Sequence, residues 1–197
     1  MHSQQIVLAS NNPGKIREFR QIFDKLNLEI IPQSQLNVPE IDEPYDTFIE
    51  NALHKARHCS KFTNLPAIAD DSGLCVDALN GAPGVYSARF AGIIKNDQAN
   101  NQKLVDALYG CVNRKAYYYC VLVLVKHKSD PRPIIADGIL NGEIIDNAQG
   151  ENGFGYDPHF YIPNLNTTVA NLDPKIKNQI SHRALAIQAL LQKLDLR

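Results

Sequence analysis

The amino-acid sequence predicts an α/β protein built on one mixed central sheet with helices flanking it. Short apolar runs of strand type intermix with segments of helical apolar periodicity, with no regular strand–helix–strand repeat, which favours a mixed sheet over a doubly wound one. In the second half, Ala116 to Val125, Ile134 to Ala136 and Gly138 to Ile145 read as antiparallel strands. No repeat, low-complexity tract or linker interrupts the 197 residues, so one compact domain over 1–197 is expected.

Taken in order, Gln5 to Ala9 reads as a buried strand, closed by the turn-rich Ser10-Asn11-Asn12-Pro13-Gly14. Lys15 to Leu28 follows as a helix with Ile16, Phe19, Ile22, Phe23 and Leu26 on one face. Glu29 to Ile31 is a short strand. Thr47 to Glu50 fits a capping box opening a helix that runs to about Phe62. Pro66 to Ala69 is a strand expected to stop at two aspartates, and Asn80 to Gly84 is a turn. Asn96 or Asp97 caps a helix ended by Gly110. Ala116 to Val125 is the most strand-like run, and Asn141-Gly142 signals a hairpin. A helix from about His182 to Leu194 closes the chain.

Twenty Lys and Arg against 21 Asp and Glu give a net charge of −1, which supplies no electrostatic reason to bind nucleic acid. The apolar run after Met1-His2-Ser3-Gln4-Gln5 is too short for a signal peptide, and no stretch reaches transmembrane length. Cys59, Cys75, Cys111 and Cys120 have neither CxxC nor CxxH spacing, so reduced thiols in a cytoplasmic protein are expected.

Five segments can carry chemistry. Ser10-Asn11-Asn12-Pro13-Gly14-Lys15 lies between a strand and a helix, where backbone N–H groups, the helix end and a lysine suit phosphate. It is not a Walker A loop, having one glycine and Ile16 after the lysine, and it reads equally as a βα turn with an N-cap Asn. Asp70-Asp71-Ser72-Gly73 places two carboxylates at a strand end, suited to Mg²⁺ and to activating water. Alone, it is slightly better turn chemistry. The acidic run Glu40 to Asp46, with Glu50, Asn51 and Lys55 beyond it, offers a further metal carboxylate and a phosphate-facing lysine, or simply a charged surface. Gly153-Phe154-Gly155-Tyr156-Asp157-Pro158 gives glycines around aromatics, fit for a flat ring or for a tight turn. Ser181-His182-Arg183, with Lys177 upstream, is a cationic cluster suited to a purine edge or a phosphate.

Together, and with Thr47-Phe48-Ile49-Glu50-Asn51-Ala52 and Gly81-Ala82-Pro83-Gly84-Val85-Tyr86-Ser87-Ala88-Arg89, these segments resemble the non-standard purine NTP pyrophosphatases, the Ham1-like inosine/xanthosine triphosphatases. The resemblance runs in order along nearly the whole chain. It implies two lobes with the active site in the cleft between them, a homodimer, and Mg²⁺-dependent attack of water on the α-phosphorus of ITP, dITP or XTP. It implies that Ser10, Asn11, Asn12, Pro13, Gly14 and Lys15 hold the triphosphate, with Lys55 assisting. By the same likeness Asp71 is metal ligand and base, Asp70 supports it, and Glu43 is a second metal carboxylate, with Asp42 and Asp46 as neighbouring candidates. Phe154, Gly155, Tyr156, Asp157, Lys177, His182 and Arg183 would frame the base, and Ser72 and Arg89 would contact substrate. Two other readings stand beside this one: a pyrophosphatase for other modified or pyrimidine nucleotides, and a nucleotide-binding sensor without catalysis.

Overall fold

A computed structural model of the chain describes residues 4–23 and 28–195. Among these, seven strands form one sheet: β1 Gln4–Leu8, β2 Leu28–Pro32, β3 Ala67–Val76, β4 Lys115–Val125, β5 Ile134–Ile144, β6 Phe160–Ile162 and β7 Thr167–Thr168. Their order is β2-β1-β3-β4-β5-β6-β7. The α-helices are α1 Pro13–Phe23, α2 Phe48–Thr63, α3 Asp97–Ala107, α4 Pro174–Ile180 and α5 His182–Asp195. β1 pairs in parallel with β2 and with β3, Leu8 lying opposite Ile68, whereas β6 runs antiparallel to β5 and to β7. The sheet is therefore mixed, as the sequence predicts.

The chain divides into two compact units, Met1–Asp71 with Val121–Asp137 and Ala186–Arg197, and Ser72–Cys120 with Gly138–Leu185. In the first, α2 packs on β1 and α1 on β2. Ile6, Val7 and Leu8 are all buried, as a parallel strand covered on both faces requires. Phe19 and Phe23, one helical turn apart, stack at 5.8 Å, and small Ala52 and Ala56 bury the inner face of α2. The capping box forms: the Thr47 hydroxyl accepts the Glu50 N–H at 3.3 Å and donates to the Glu50 carboxylate at 2.5 Å. In the second unit, Leu74, Leu104, Leu108, Tyr118, Ile144 and Phe160 belong to one apolar cluster. Asn96 caps α3 by accepting the Ala99 N–H at 3.0 Å.

Three expectations need correction. β3 does not stop at Ala69 but runs through the aspartates to Val76, with every residue buried except half-buried Ser72. Ile134 to Ile144 is one strand, so Asn141-Gly142 is no hairpin. A Cβ on Gly142 would lie 2.5 Å from the Tyr161 carbonyl oxygen and 2.7 Å from Phe160 Cζ, so this glycine serves a close approach rather than a turn. The helix expected to reach Leu28 is seen to Phe23, and Leu28 opens β2; Leu26 and the N-terminal Met1 to Ser3 lie outside the described residues. Among the described residues no helix is long and apolar enough to cross a membrane.

Candidate active site

Asp70 and Asp71 sit in mid-strand, 1% and 7% exposed. Consecutive strand positions send side chains to opposite sides, and the two carboxylates accordingly take different lysines. Lys15 Nζ lies 2.8 Å from Asp70 Oδ2. Lys55 Nζ ion-pairs with Glu43 and stands 3.9 Å from Asp71 Oδ1. Asn51 donates to Asp71 Oδ2 at 3.3 Å and also bonds both backbone polar groups of Tyr45, at 3.0 Å each. It thereby fastens the acidic loop to the strand. Of the three acidic candidates in that loop the half-buried Glu43 reaches Lys55, while Asp42 and Asp46 are exposed. Glu50 is used by the helix cap.

This crowding sets the protonation of the pair. Burial pushes the Asp71 carboxyl up, and Glu43 and Asp70 push the same way against Lys55 and Asn51, bringing it to about 6 from 3.8. Burial alone would lower the Lys55 ammonium, but Asp71, Asp70 and Glu43 outweigh it and hold the lysine charged. The same burial raises the Cys59 thiol to about 11, in keeping with an inert, reduced cysteine. All four cysteines are free.

The turn after β1 serves two purposes. Asn12 is the N-cap of α1, its Oδ1 accepting from Gly14 N at 2.8 Å and Lys15 N at 3.2 Å. A Cβ on Gly14 would lie 3.1 Å from that oxygen, too tight for ordinary packing. Asn11 reaches the acidic loop, donating to Glu40 at 2.7 Å. Ser10 and Lys15 meet Glu40, Glu43, Lys55 and Asp70 around a cavity of about 240 Å³. It lies off the C-terminal end of β1, where sheets of parallel strands bind ligands.

In the second unit Asp157 is the hub. Its carboxylate accepts from Lys177 Nζ at 2.6 Å, from the Phe154 N–H at 3.0 Å and from the Tyr118 hydroxyl at 3.1 Å. At 4% exposure it serves to hold these neighbours. Burial, then Asp157 itself, raises the Tyr118 phenol well above its ordinary value, which keeps it a donor. The Tyr118 ring stacks on His182 at 4.9 Å, and Lys177 Nζ lies 4.9 Å from the half-exposed Phe154 ring. Lys177 is placed by the short α4, capped by Asp173. Arg183, 5% exposed, donates to Ser72 Oγ at 3.3 Å. The Tyr156 hydroxyl donates to the Ser87 carbonyl at 2.8 Å, and exposed Arg89 lies over the Tyr86 ring at 5.2 Å. Sequence reasoning names neither Tyr118 nor the structural use of Asn51; a tyrosine-rich strand gives no hint of which ring meets a histidine.

Two buried strand carboxylates, each matched to a lysine from a helix, with a capped βα turn beside them, define the site of this α/β protein. Comparison with known proteins gives the particular family: the family model described as Ham1 matches residues 6–193, and the chain belongs to the Ham1 family. The chain is 58% identical over 190 residues to the dITP/XTP pyrophosphatase of Chromobacterium violaceum, covering 96% of each chain. It is 60% identical over 193 residues to that of Burkholderia pseudomallei, covering 96% of this chain and 93% of the relative. Among solved structures, a HAM1 protein from Coxiella burnetii superposes with a TM-score of 0.95 at 46% identity, over 98% of this chain and all of the other.

Proposed function

We propose that this chain hydrolyses the non-standard purine triphosphates ITP, dITP and XTP to the monophosphate and pyrophosphate, clearing them from the nucleotide pool. The relatives named dITP/XTP pyrophosphatase, matched over nearly the whole chain, support this reading. The observation that carries it is the pairing of Asp70 with Lys15 and of Asp71 with Lys55 in a buried strand.

In this reading Lys15, with Ser10 to Gly14, holds the phosphates, and Lys55 adds a second cation beside them. Asp70 fixes Lys15. Asp71, ionised above about pH 6, accepts the proton of the water whose oxygen bonds the α-phosphorus, as the α–β bridging bond breaks and pyrophosphate departs. Glu43 and Asp71 already share one positive charge, that of Lys55. No cluster of three or more His, Cys, Asp or Glu suited to a metal occurs among the described residues. Two carboxylates fit Mg²⁺, which keeps positions open for water and phosphate oxygens. Held there by Asp71 and Glu43, it would neutralise charge on the phosphates.

Phe154 offers a ring face to the base, with Gly155 and Tyr156 completing the loop and His182 on the Tyr118 ring beside it. Lys177 gives one proton to Asp157 and has others to donate. Lys177 or Arg183 reads a 6-oxo group, while a 6-amino group would leave a buried donor unpaired. Guanine shares the 6-oxo group, so its rejection falls on the 2-amino group. Ser72 and Arg89 contact the substrate. A cytoplasmic homodimer that does not bind nucleic acid completes the proposal, and light scattering measures the oligomer. The test is product analysis with ITP and Mg²⁺: IMP and pyrophosphate are expected, and IDP with orthophosphate would refute the reading. A panel of ITP, XTP, dUTP and a methylated pyrimidine triphosphate checks specificity, which fails if ITP and XTP are the poorest.

A further inference from the structure

Helix α3 opens with Asn96-Asp97-Gln98-Ala99-Asn100-Asn101. Asparagine in a helix interior competes with the backbone for hydrogen bonds, so two in succession ask for a use. Asn100, buried, accepts from the Ala91 N–H at 2.7 Å and donates to the Ala88 carbonyl at 3.2 Å, fixing the segment that carries Arg89. Asp97 and Asn101, one helical turn apart, take both backbone polar groups of a single residue. The Gly155 N–H donates to Asp97 Oδ2 at 2.8 Å, and the Gly155 carbonyl accepts from Asn101 Nδ2 at 2.8 Å.

The loop these two residues hold is not fixed by close packing on that side. Gly155 and Gly153 adopt φ of +61° and +83°, and a cavity of about 410 Å³ lies between α3 and the loop. Phe154 is therefore held from two directions, by α3 through Gly155 and by Asp157 through its own N–H. Asp157 also carries Lys177.

We infer that Asp97 and Asn101 are positioning residues that set Phe154 and Lys177 around the base, so that α3 governs how sharply a 6-oxo purine is separated from a 6-amino one. This rests on the reading of Gly153 to Asp157 as the base-framing loop. Neither residue is required for the phosphate chemistry, so their loss changes recognition more than the chemical step.

Steady-state kinetics with ITP and with ATP, together with melting temperatures, test this on Asp97→Ala, Asn101→Ala, Asp97→Asn and Phe154→Ala. Each alanine variant of α3 is expected to raise KM for ITP about tenfold with kcat nearly unchanged, and to narrow the preference for ITP in step. Asp97→Asn keeps an acceptor for the Gly155 N–H and removes only the charge, so it is expected to recover most of the loss. If Asp97→Asn is as impaired as Asp97→Ala, the charge at the start of α3 matters rather than the clamp, and the inference fails. It also fails if the alanine variants lower the melting temperature while KM and the ITP preference stay as in the parent. Phe154→Ala separates the two claims. Raised KM there with unaffected α3 variants overturns the clamp alone; unchanged KM there overturns the base-framing reading itself.

Discussion

Asp71→Asn is expected to abolish turnover and, without metal, to make the protein more stable. The first follows from losing the proton acceptor, the second from the cost of holding a charge in the strand. The carboxyl titrates at about 6 against 3.8 for an unhindered aspartate, a gap worth about 3 kcal/mol. The folded state binds this proton more tightly than the unfolded one. The group's favourable share is therefore complete below pH 3.8 and lost as pH rises through about 6. Above that the parent carries the whole penalty, whereas the amide of the variant does not titrate and can still accept from Asn51. At pH 7.5 the metal-free variant should gain up to about 3 kcal/mol, or about 6–12 °C in Tm for a chain of this size, and near pH 4 almost nothing. Thermal melts in chelator from pH 4 to 8 read this directly. A gain that does not change with pH would refute the burial argument. ITP binding should survive better than hydrolysis, weakened only through the lost metal carboxylate; equal loss of both together with a lowered metal-free Tm would make Asp71 structural.

Lys55→Met removes the cation shared by Glu43 and Asp71. Turnover should fall at least about 100-fold, and metal-free melts at pH 7.5 should drop by several degrees; an unchanged Tm would mean that the pairing carries no weight. Thr47→Ala should cost about 1 kcal/mol through the lost cap, lowering Tm by about 2–4 °C with KM for ITP unchanged. Gly142→Ala should destabilise by more than about 2 kcal/mol in denaturant melts, because its Cβ meets the Tyr161 backbone. Lys177→Met should reduce the kcat/KM preference for ITP over ATP by at least about tenfold.

What the sequence makes legible is what its local pattern contains. α2, α3 and β4 can be placed to within a residue or two at their starts because Thr47 and Asn96 are local caps and a long run rich in Tyr and Val is self-contained. α4 is hidden, since seven residues opening on a Pro give too little periodicity. β3 beyond Ala69 is hidden for a different reason. Asp-Asp-Ser-Gly is good turn chemistry, and only Lys15, Lys55, Asn51 and Arg183, distant in sequence, make its burial tolerable. β5 is misread at Asn141-Gly142 because a glycine serving a close contact looks the same as one serving a turn. For the site, spacing and family likeness name the groups. The pairing of each carboxylate with its lysine, and the fact that Glu43 rather than Asp42 or Asp46 reaches Lys55, depend on tertiary contacts.

The conflict between local chemistry and strand is itself informative, because such conflicts concentrate at functional sites. In a solvated turn the aspartates would be hydrated, mobile and acidic, with little tendency to take a proton near neutrality. In β3 they are fixed, and without metal, burial holds the Asp71 carboxyl up at about 6. In the proposed reading the same placement bears on the order of binding. The cavity by the turn has Lys15 and Lys55 in its wall against Glu40, Glu43 and Asp70, an excess of one negative charge before Asp71 is counted. A bare triphosphate would meet net repulsion there, so the site favours a nucleotide whose charge is already partly neutralised by a divalent cation. Nucleotide binding measured in chelator should accordingly be much weaker than with Mg²⁺. Comparable affinities would mean that the lysines, and not the carboxylates, dominate the field of the site.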